Sequence, residues 1–520
     1  MPDKKDRSGA ESLVQAFVDA EADVCFANPG TSEMHFVAAL DNNPEMRCVL
    51  GLFEGVVTGA ADGYARMARK PAVTLTHLGP GLGNGLANLH NAKKARTPVV
   101  NVVGEHATYH RKYDAPLTSD VAGFAAPVSG WVKVSESADS VAADGAEAVQ
   151  ASTKPPGQVA TLILPADTAW NRTTASANPL PRIQPKAYSA LNVDTVANVL
   201  RSGEPSVILM NGELTKSRSA MANQIGQVTG ARILMDTFVG RVHRGAGTSE
   251  VARLPYFGEM AAEVLNGTRH LILLGTQAPV TFFAYPDKPN YLTPEGCELH
   301  VLAERDEDID GALEALMDAV GADKVQPIVT NLEIPELPSG ELNQRSAGTT
   351  LAHYLPENAI IVDEGGMNGG GSIAATRTGK PHDWLILTGG AIGFGLPCAT
   401  GAAVACPEQR VISLQADGSG MYTNQALWTQ AREGLNITTI LFANQRYGIL
   451  QVEFGRVGAH NPGPKAMSML DLTNPELRWT DIAKGMGVPA WRVTTVEEYA
   501  DALEKSFATP GPALIEVMVP

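Results

Sequence analysis

The sequence predicts an α/β protein of three doubly wound, parallel-sheet domains, and three observations carry that prediction. Short β-branched runs alternate with helical segments from end to end, as in parallel sheets covered on both faces. Two proline-rich stretches, 176–190 (with NPLPRIQPKAYSA) and 325–342 (VQPIVTNLEIPELPSGEL), break the alternation and read as linkers. The length, 520 residues, suits about three domains of ordinary size. The expected units are residues 1–180, 190–325 and 345–520.

In the first unit the expected strands are 24–27, 48–53, 72–77, 98–103 and 159–164, with helical segments at 55–68 and 83–95. Asn28-Pro29-Gly30-Thr31 is a turn closing the first strand. Glu54 ends the second run and starts GVVTGAADGYAR. A carboxylate there, beside Phe53, Val56 and Val57, is poorly solvated; a glutamate also suits a helix N-terminus. THLGPGLGNG, residues 76–85, follows a strand, opens a helix and carries His77. Taken alone it is a weak dinucleotide-loop signal. A histidine at a strand end serves equally as a structural or a proton-transfer residue.

The second unit holds expected strands at 206–210, 232–236, 270–274 and 299–303. The third holds 360–362, 385–388, 411–414, 437–442 and 513–519. In it TGGAIGFGLP, 388–397, follows a strand, and its glycines suit close helix–sheet packing. Asp363-Glu364-Gly365-Gly366 ends another strand.

The stretch around which the third unit is organised is 415–450, QADGSGMYTNQALWTQAREGLNITTILFANQRYGIL. An apolar strand turns at Asp417-Gly418-Ser419, an amphipathic segment of about four turns follows, and a second strand closes at Asn444. Asn444 follows Asp417 by 27 positions, so both sit at C-terminal strand ends of one βαβ unit, the edge where open α/β sheets bind ligands. A carboxylate with an amide oxygen suits a hard cation such as Mg²⁺. The amides of Gly418 and Ser419 suit a phosphate.

Asp-Gly-Ser, the 27-position step to Asn444 and then Tyr447-Gly448 resemble the signature of thiamin-diphosphate (ThDP) enzymes. The two departures are Ala416, where that family has Gly, and Ala443, where it has Asn; neither lost side chain ligates metal. The resemblance covers the whole chain. It implies a pyrimidine-binding domain and a diphosphate-binding domain flanking a central Rossmann-like domain, as in 2-oxo acid decarboxylases and carboligases. It implies Mg²⁺ held by Asp417, Asn444 and the Arg446 carbonyl, and a diphosphate site near Glu364, Gly418, Ser419, Tyr447, Gly448 and Ile449. FEGVVTGAADGYAR resembles the segment whose glutamate, here Glu54, hydrogen-bonds N1′ of the aminopyrimidine and activates the cofactor. The Gly390 carbonyl would accept from the 4′-amino group, and Ile392 would wedge the cofactor into its bent form. Thr31, His77 and Gln451 would face the substrate, with His77 at the catalytic-histidine position of benzoylformate decarboxylases.

Subfamily features are mixed. GPG followed by Asn84, and Gln451, look like acetolactate synthases. QAPVTFFAYPDKPNYL looks like benzoylformate decarboxylases, with Ala284 in place of their second histidine. Pro116-Leu117 stand where acetolactate synthases have Phe-Gln. The expected activity is decarboxylation of a 2-oxo acid with carboligation, acetolactate-synthase-like. The alternatives are a benzoylformate-decarboxylase-like non-oxidative decarboxylase, a non-catalytic ThDP-fold regulatory subunit, and a nicotinamide or flavin oxidoreductase. FAD is compatible with the resemblance, but no residue argues for it. A homodimer or homotetramer is expected, because Glu54 and the Asp417–Asn444 pair lie in different domains and the resemblance implies that two chains share each site.

Composition narrows the partners. Lys plus Arg is 40 against 56 for Asp plus Glu, a formal charge of −16, which argues against nucleic acid or an anionic membrane. The five cysteines form no CxxC pair and mostly sit in apolar runs, as buried free thiols do. MPDKKDRSGAES has no apolar signal core, and no run of 18 apolar residues occurs. A soluble, cytoplasmic protein is expected.

Overall fold

Val24–Ala27 is buried at every position and lies second in a six-stranded sheet. The order is Arg47–Leu50, Val24–Ala27, Ala72–Thr76, Val99–Glu105, Val159–Pro165, Trp131–Val134. Every pairing is parallel, so helices must cross between strands and cover both faces. Polar groups inside this sheet are paired: Thr74 donates to Asn101 (2.9 Å), and Asn101 donates to Thr161 (3.0 Å). The computed structural model describes residues 6–520.

A five-stranded parallel sheet follows, ordered Ala252–Arg253, Arg232–Met235, Ser206–Met210, His270–Leu274, Glu298–Ala303. The third sheet has eight strands. Six come from the C-terminal third: His382–Ile386, Ala359–Glu364, Val411–Ala416, Ile437–Ala443, Ala513–Met518 and Ala490–Val493. Glu213–Leu214 and Arg241–Arg244, from the middle of the chain, extend it on one side. Arg241–Arg244 runs antiparallel to His382–Ile386, the exception to an otherwise parallel sheet.

The expected strands are present, and the exceptions have physical causes. Arg241–Arg244 (RVHR) carries no apolar pattern; it is held because Arg241 forms a two-pronged ion pair with Asp383 (2.9 and 3.0 Å). Trp131–Val134 and Ala490–Val493 are short edge strands without full burial. The helix expected after Asp417 is two pieces, Asp417–Gly420 and Ala426–Arg432. Between them Thr423 donates to the Gly393 carbonyl (3.0 Å), which ties the intervening turn to the Gly-rich loop. All five cysteines are free, but only Cys25 and Cys398 are buried. Cys48 is exposed because its strand lies at the sheet edge.

One helix pair locks the first and third sheets. Glu54–Ala68 (EGVVTGAADGYARMA) is buried almost throughout and packs on Gly395–Ala405. A Cβ at Gly63 would meet the Cys398 carbonyl oxygen at 2.0 Å, and one at Gly401 the Ala60 carbonyl oxygen at 1.8 Å. The crossing therefore requires glycine on both helices. Beside it Arg66 donates twice to Asp62 (2.8 and 2.6 Å) and to the carbonyls of Ile386 (2.8 Å) and Gly240 (3.1 Å). One guanidinium thus joins all three segments. Among the described residues, no helix is long and apolar enough to cross a membrane.

Candidate active site

The parallel pairing of Val411–Ala416 with Ile437–Ala443 brings Asp417 and Asn444 to the same sheet edge. Asp417 Oδ2 accepts from the Gln445 amide (2.6 Å), and Oδ1 from the Gly418 amide (2.9 Å). Asn444 Oδ1 accepts from the Arg446 amide (3.2 Å). The chain turns here through Gln445 at φ 57°, a left-handed conformation that directs successive groups at one point. Burial pushes the Asp417 carboxyl up, against the pull of these backbone amides. A carboxylate, an amide oxygen and the carbonyl of exposed Arg446 form an all-oxygen donor set, which fits Mg²⁺. The Tyr447 ring lies against Gly418, where a Cβ would sit 2.5 Å from it. An open cleft of about 510 Å³ runs past Asn444, Arg446, Gln451, Met467 and Asp471. Gly448 and Ile449 begin the helix Gly448–Arg456, which carries Gln451.

Other groups expected around a phosphate are turned inward. The Ser419 hydroxyl donates to Gln415 (2.8 Å), and the Gly418 amide is taken by Asp417. Buried Glu364 accepts from the amides of Gly393 (2.8 Å), Phe394 (3.1 Å) and Gly395 (2.7 Å) and from Gln415 (3.0 Å). With four donors its carboxylate is saturated, and it shapes the Gly-rich loop. In that loop Gly390 has φ 74°, and a Cβ there would meet the Phe282 ring at 2.6 Å. Ile392 stands partly exposed on the same loop.

The N-terminal residues form a second group. Glu54 is buried and accepts from Asn84 (3.0 Å). Gly81 separates Glu54 from His77; a Cβ on it would lie 2.9 Å from Glu54 Oε1 and 3.3 Å from His77 Cβ. His77 Nδ1 bonds Glu33 Oε2 (2.8 Å), and the same oxygen accepts from the Gly30 amide (2.7 Å). Glu33 is buried, and its Oε1 has no partner among the described residues. Burial pushes its carboxyl up, and the facing His77 opposes that shift. The oxygen fits only because residue 104 is glycine: a Cβ there would sit 1.5 Å away. Exposed Thr31 follows Gly30, over which the His77 ring lies.

Sequence reasoning missed Glu33. Its local signal, a glutamate three residues after Gly30 and ahead of MHFVAAL, reads as ordinary helix-start chemistry. Its partner stands 44 residues away. The pairing of Asn84 with Glu54 was likewise invisible. The Asp417 and Glu54 groups share no direct hydrogen bond among the described residues. Asn88 ties the Glu54 helix to the Gly-rich loop, donating to the carbonyls of Gly55 (2.8 Å) and Gly393 (3.2 Å). On the central segment Phe282 stacks near Phe238 and Tyr256, with centroids at 5.3 and 5.5 Å. Arg456 pairs with Glu259 (2.7 and 3.0 Å) and lies between the rings of Phe257 and Tyr285, fastening the helix that bears Gln451. Ala284 is exposed on the Phe282 loop.

Residues 7–125 match the family described as thiamine pyrophosphate enzyme, N-terminal TPP binding domain, and 366–517 match its C-terminal TPP binding domain. The chain is 54% identical over 515 residues to a Mycobacterium tuberculosis protein named "Putative acetolactate synthase large subunit IlvX", covering 99% of each. It is 28% identical over 525 residues to benzoylformate decarboxylase of Pseudomonas aeruginosa, covering 95% of each. The fold is shared with the 4-hydroxybenzoylformate decarboxylase of Rhodococcus jostii RHA1 (TM-score 0.83, 22% identity, 99% of each chain). It is shared too with benzoylformate decarboxylase of Polynucleobacter necessarius (TM-score 0.84, 20% identity, 99% of this chain and 98% of that one). The chain belongs to the thiamin-diphosphate-dependent enzymes of the acetolactate synthase and benzoylformate decarboxylase type.

Proposed function

We propose that the protein catalyses ThDP- and Mg²⁺-dependent decarboxylation of a 2-oxo acid and that His77 manages the proton. The observation that carries this is the pair of buried Glu33 with partly exposed His77, standing across Gly81 from Glu54. Asp417, Asn444 and the Arg446 carbonyl would hold Mg²⁺ and, through it, the diphosphate. Glu54, steadied by Asn84, would hold the aminopyrimidine, while the Gly390 carbonyl and Ile392 set its orientation. Bound there, ThDP supplies the nucleophilic carbon and the electron sink for loss of CO₂. His77 offers Nε2 to the substrate, because Nδ1 is committed to Glu33; Glu33 fixes the ring. Thr31 and Gln451 would face the substrate carboxylate and side chain. Phe282, backed by Phe238 and Tyr256, gives the pocket an aromatic wall suited to an aryl or branched side chain.

A second reading, ligation to an acceptor carbonyl, is favoured by the 54%-identical relative's name and by Asn84 after GPG. The test is incubation with ThDP, Mg²⁺ and a panel of aliphatic and aryl 2-oxo acids, measuring CO₂, aldehyde and hydroxyketone. Aldehyde in excess supports protonation by His77. Hydroxyketone in excess supports ligation. No CO₂ from any acid, with ThDP bound, rejects both and favours a non-catalytic subunit. A cytoplasmic homodimer or homotetramer is part of the proposal; partly exposed Ile392, Met367 and Leu52 are apolar surface that a second copy would cover.

A further inference from the structure

At the opposite, N-terminal ends of the central strands lies a group that the proposed reaction does not use. His270 begins the strand His270–Leu274 and pairs in register with Glu298, the first residue of the edge strand Glu298–Ala303. His300, two residues on, returns to the same face. His270 Nδ1 lies 3.1 Å from His300 Nε2. Glu298 Oε2 is 3.7 Å from His270 Nδ1 and 3.8 Å from His300 Nε2. Both imidazoles are largely buried, whereas the Glu298 side chain is 71% exposed.

These separations also suit ligands of one ion. Three donors about 2.0–2.2 Å from one tetrahedral zinc stand roughly 3.3 Å apart. The 3.1 Å contact already meets this, and exposed Glu298 can close the other two by side-chain rotation alone. A second observation points the same way. The far nitrogen of His270, Nε2, bonds Glu204 Oε2 at 2.8 Å. That contact places the proton on Nε2 and leaves the Nδ1 lone pair facing His300. A carboxylate behind a histidine in this manner is the usual support of a zinc ligand.

We propose that His270, His300 and Glu298 form a binding site for Zn²⁺ or a similar borderline transition ion, with Glu204 as the outer support of His270. Two nitrogens and one carboxylate suit Zn²⁺ and disfavour Mg²⁺ and Ca²⁺, which take oxygen. The fourth position opens beside exposed Glu298, so water completes it. The ion would tie the edge strand Glu298–Ala303 to its neighbour. The site shares no residue with the Asp417–Asn444 set, and its occupancy is independent of the reaction proposed above.

The test titrates the metal-stripped full-length chain with Zn²⁺ against a chromophoric chelator in saturating Mg²⁺. Wild type and Asp417→Ala should each hold one Zn²⁺ that Mg²⁺ does not displace. His300→Ala and Glu298→Gln should lose it, and Glu204→Gln should bind about tenfold or more weakly. Co²⁺ in the same site should show the intense visible bands of a tetrahedral centre, absent in His300→Ala. Glu298→Gln alters an exposed side chain and keeps the test valid if the histidine variant misfolds. No Zn²⁺ uptake by wild type at micromolar free metal, or equal uptake by wild type and both ligand variants, overturns the proposal.

Discussion

Replacing Glu33 with glutamine separates a residue that works through His77 from one that merely fills space. The two roles predict opposite signs for stability. Glu33 is buried, its Oε1 is unpartnered, and burial raises its carboxyl. A carboxyl raised in the folded state binds more protons there than in the unfolded chain. Stability is therefore lost as pH rises from the unfolded value to the folded one. Glutamine removes that loss, can still accept from the Gly30 amide, and occupies the same space beside Gly104. The variant should melt at or above the wild-type temperature above this pH window. Catalysis should move the other way. A hydrogen bond to a charged group is worth about 1.5–3 kcal/mol and a neutral one about 0.5–1.5 kcal/mol; losing the charge from the bond to His77 costs the difference, about 1–1.5 kcal/mol, and lowers turnover by about 5- to 12-fold. His77→Ala should lose ~10²–10⁴-fold, as when a general acid–base is removed, with ThDP affinity unchanged. If Glu33 acts only through His77, the double variant should be no slower than His77→Ala. Additive losses in the double variant, or a lower melting temperature with wild-type turnover in Glu33→Gln, would refute the reasoning.

Asp417→Ala should abolish Mg²⁺-dependent ThDP binding by calorimetry, since one amide and one carbonyl are too few to hold the ion; unchanged affinity rejects the assignment. Arg66→Met should cost about 3–5 kcal/mol in urea unfolding, because it leaves the buried Asp62 charge uncompensated with the Thr97 hydroxyl as its remaining side-chain donor; a loss under about 1 kcal/mol would mean that the domain junction does not depend on this ion pair. Glu54→Gln should leave the fold intact by circular dichroism and slow exchange of the ThDP C2 proton for deuterium. Mixed Glu54→Gln and Asp417→Ala subunits should regain activity, since a mixed dimer with shared sites has one intact centre; no recovery despite demonstrated subunit exchange would place each site within one chain.

Legibility in the sequence followed the range of the interactions. Apolar strands such as Val24–Ala27 and Val411–Ala416 were readable because full burial on both faces imposes a continuous hydrophobic run. Arg241–Arg244 was not, because an ion pair to Asp383, 142 residues away, holds it. The helix after Asp417 read as continuous because its amphipathic pattern is; the break comes from a tertiary bond between Thr423 and Gly393. Glu364 was placed correctly at a strand end, but the direction of its side chain depended on three amides of a loop that folds back over it.

The sequence by itself determined the α/β class and the meeting of Asp417 with Asn444. One βαβ unit, local in the chain, brings its two strand ends to one edge whatever the rest of the fold does. Only the tertiary structure decided that Glu33 backs His77, that Asn84 steadies Glu54, and that Arg66 joins three segments. Each of those depends on the packing of elements distant in sequence, where a side chain's partner is chosen by which group is already buried beside it. A buried carboxylate must find a donor, and the donor's identity is a property of the packed interior, not of its neighbours along the chain.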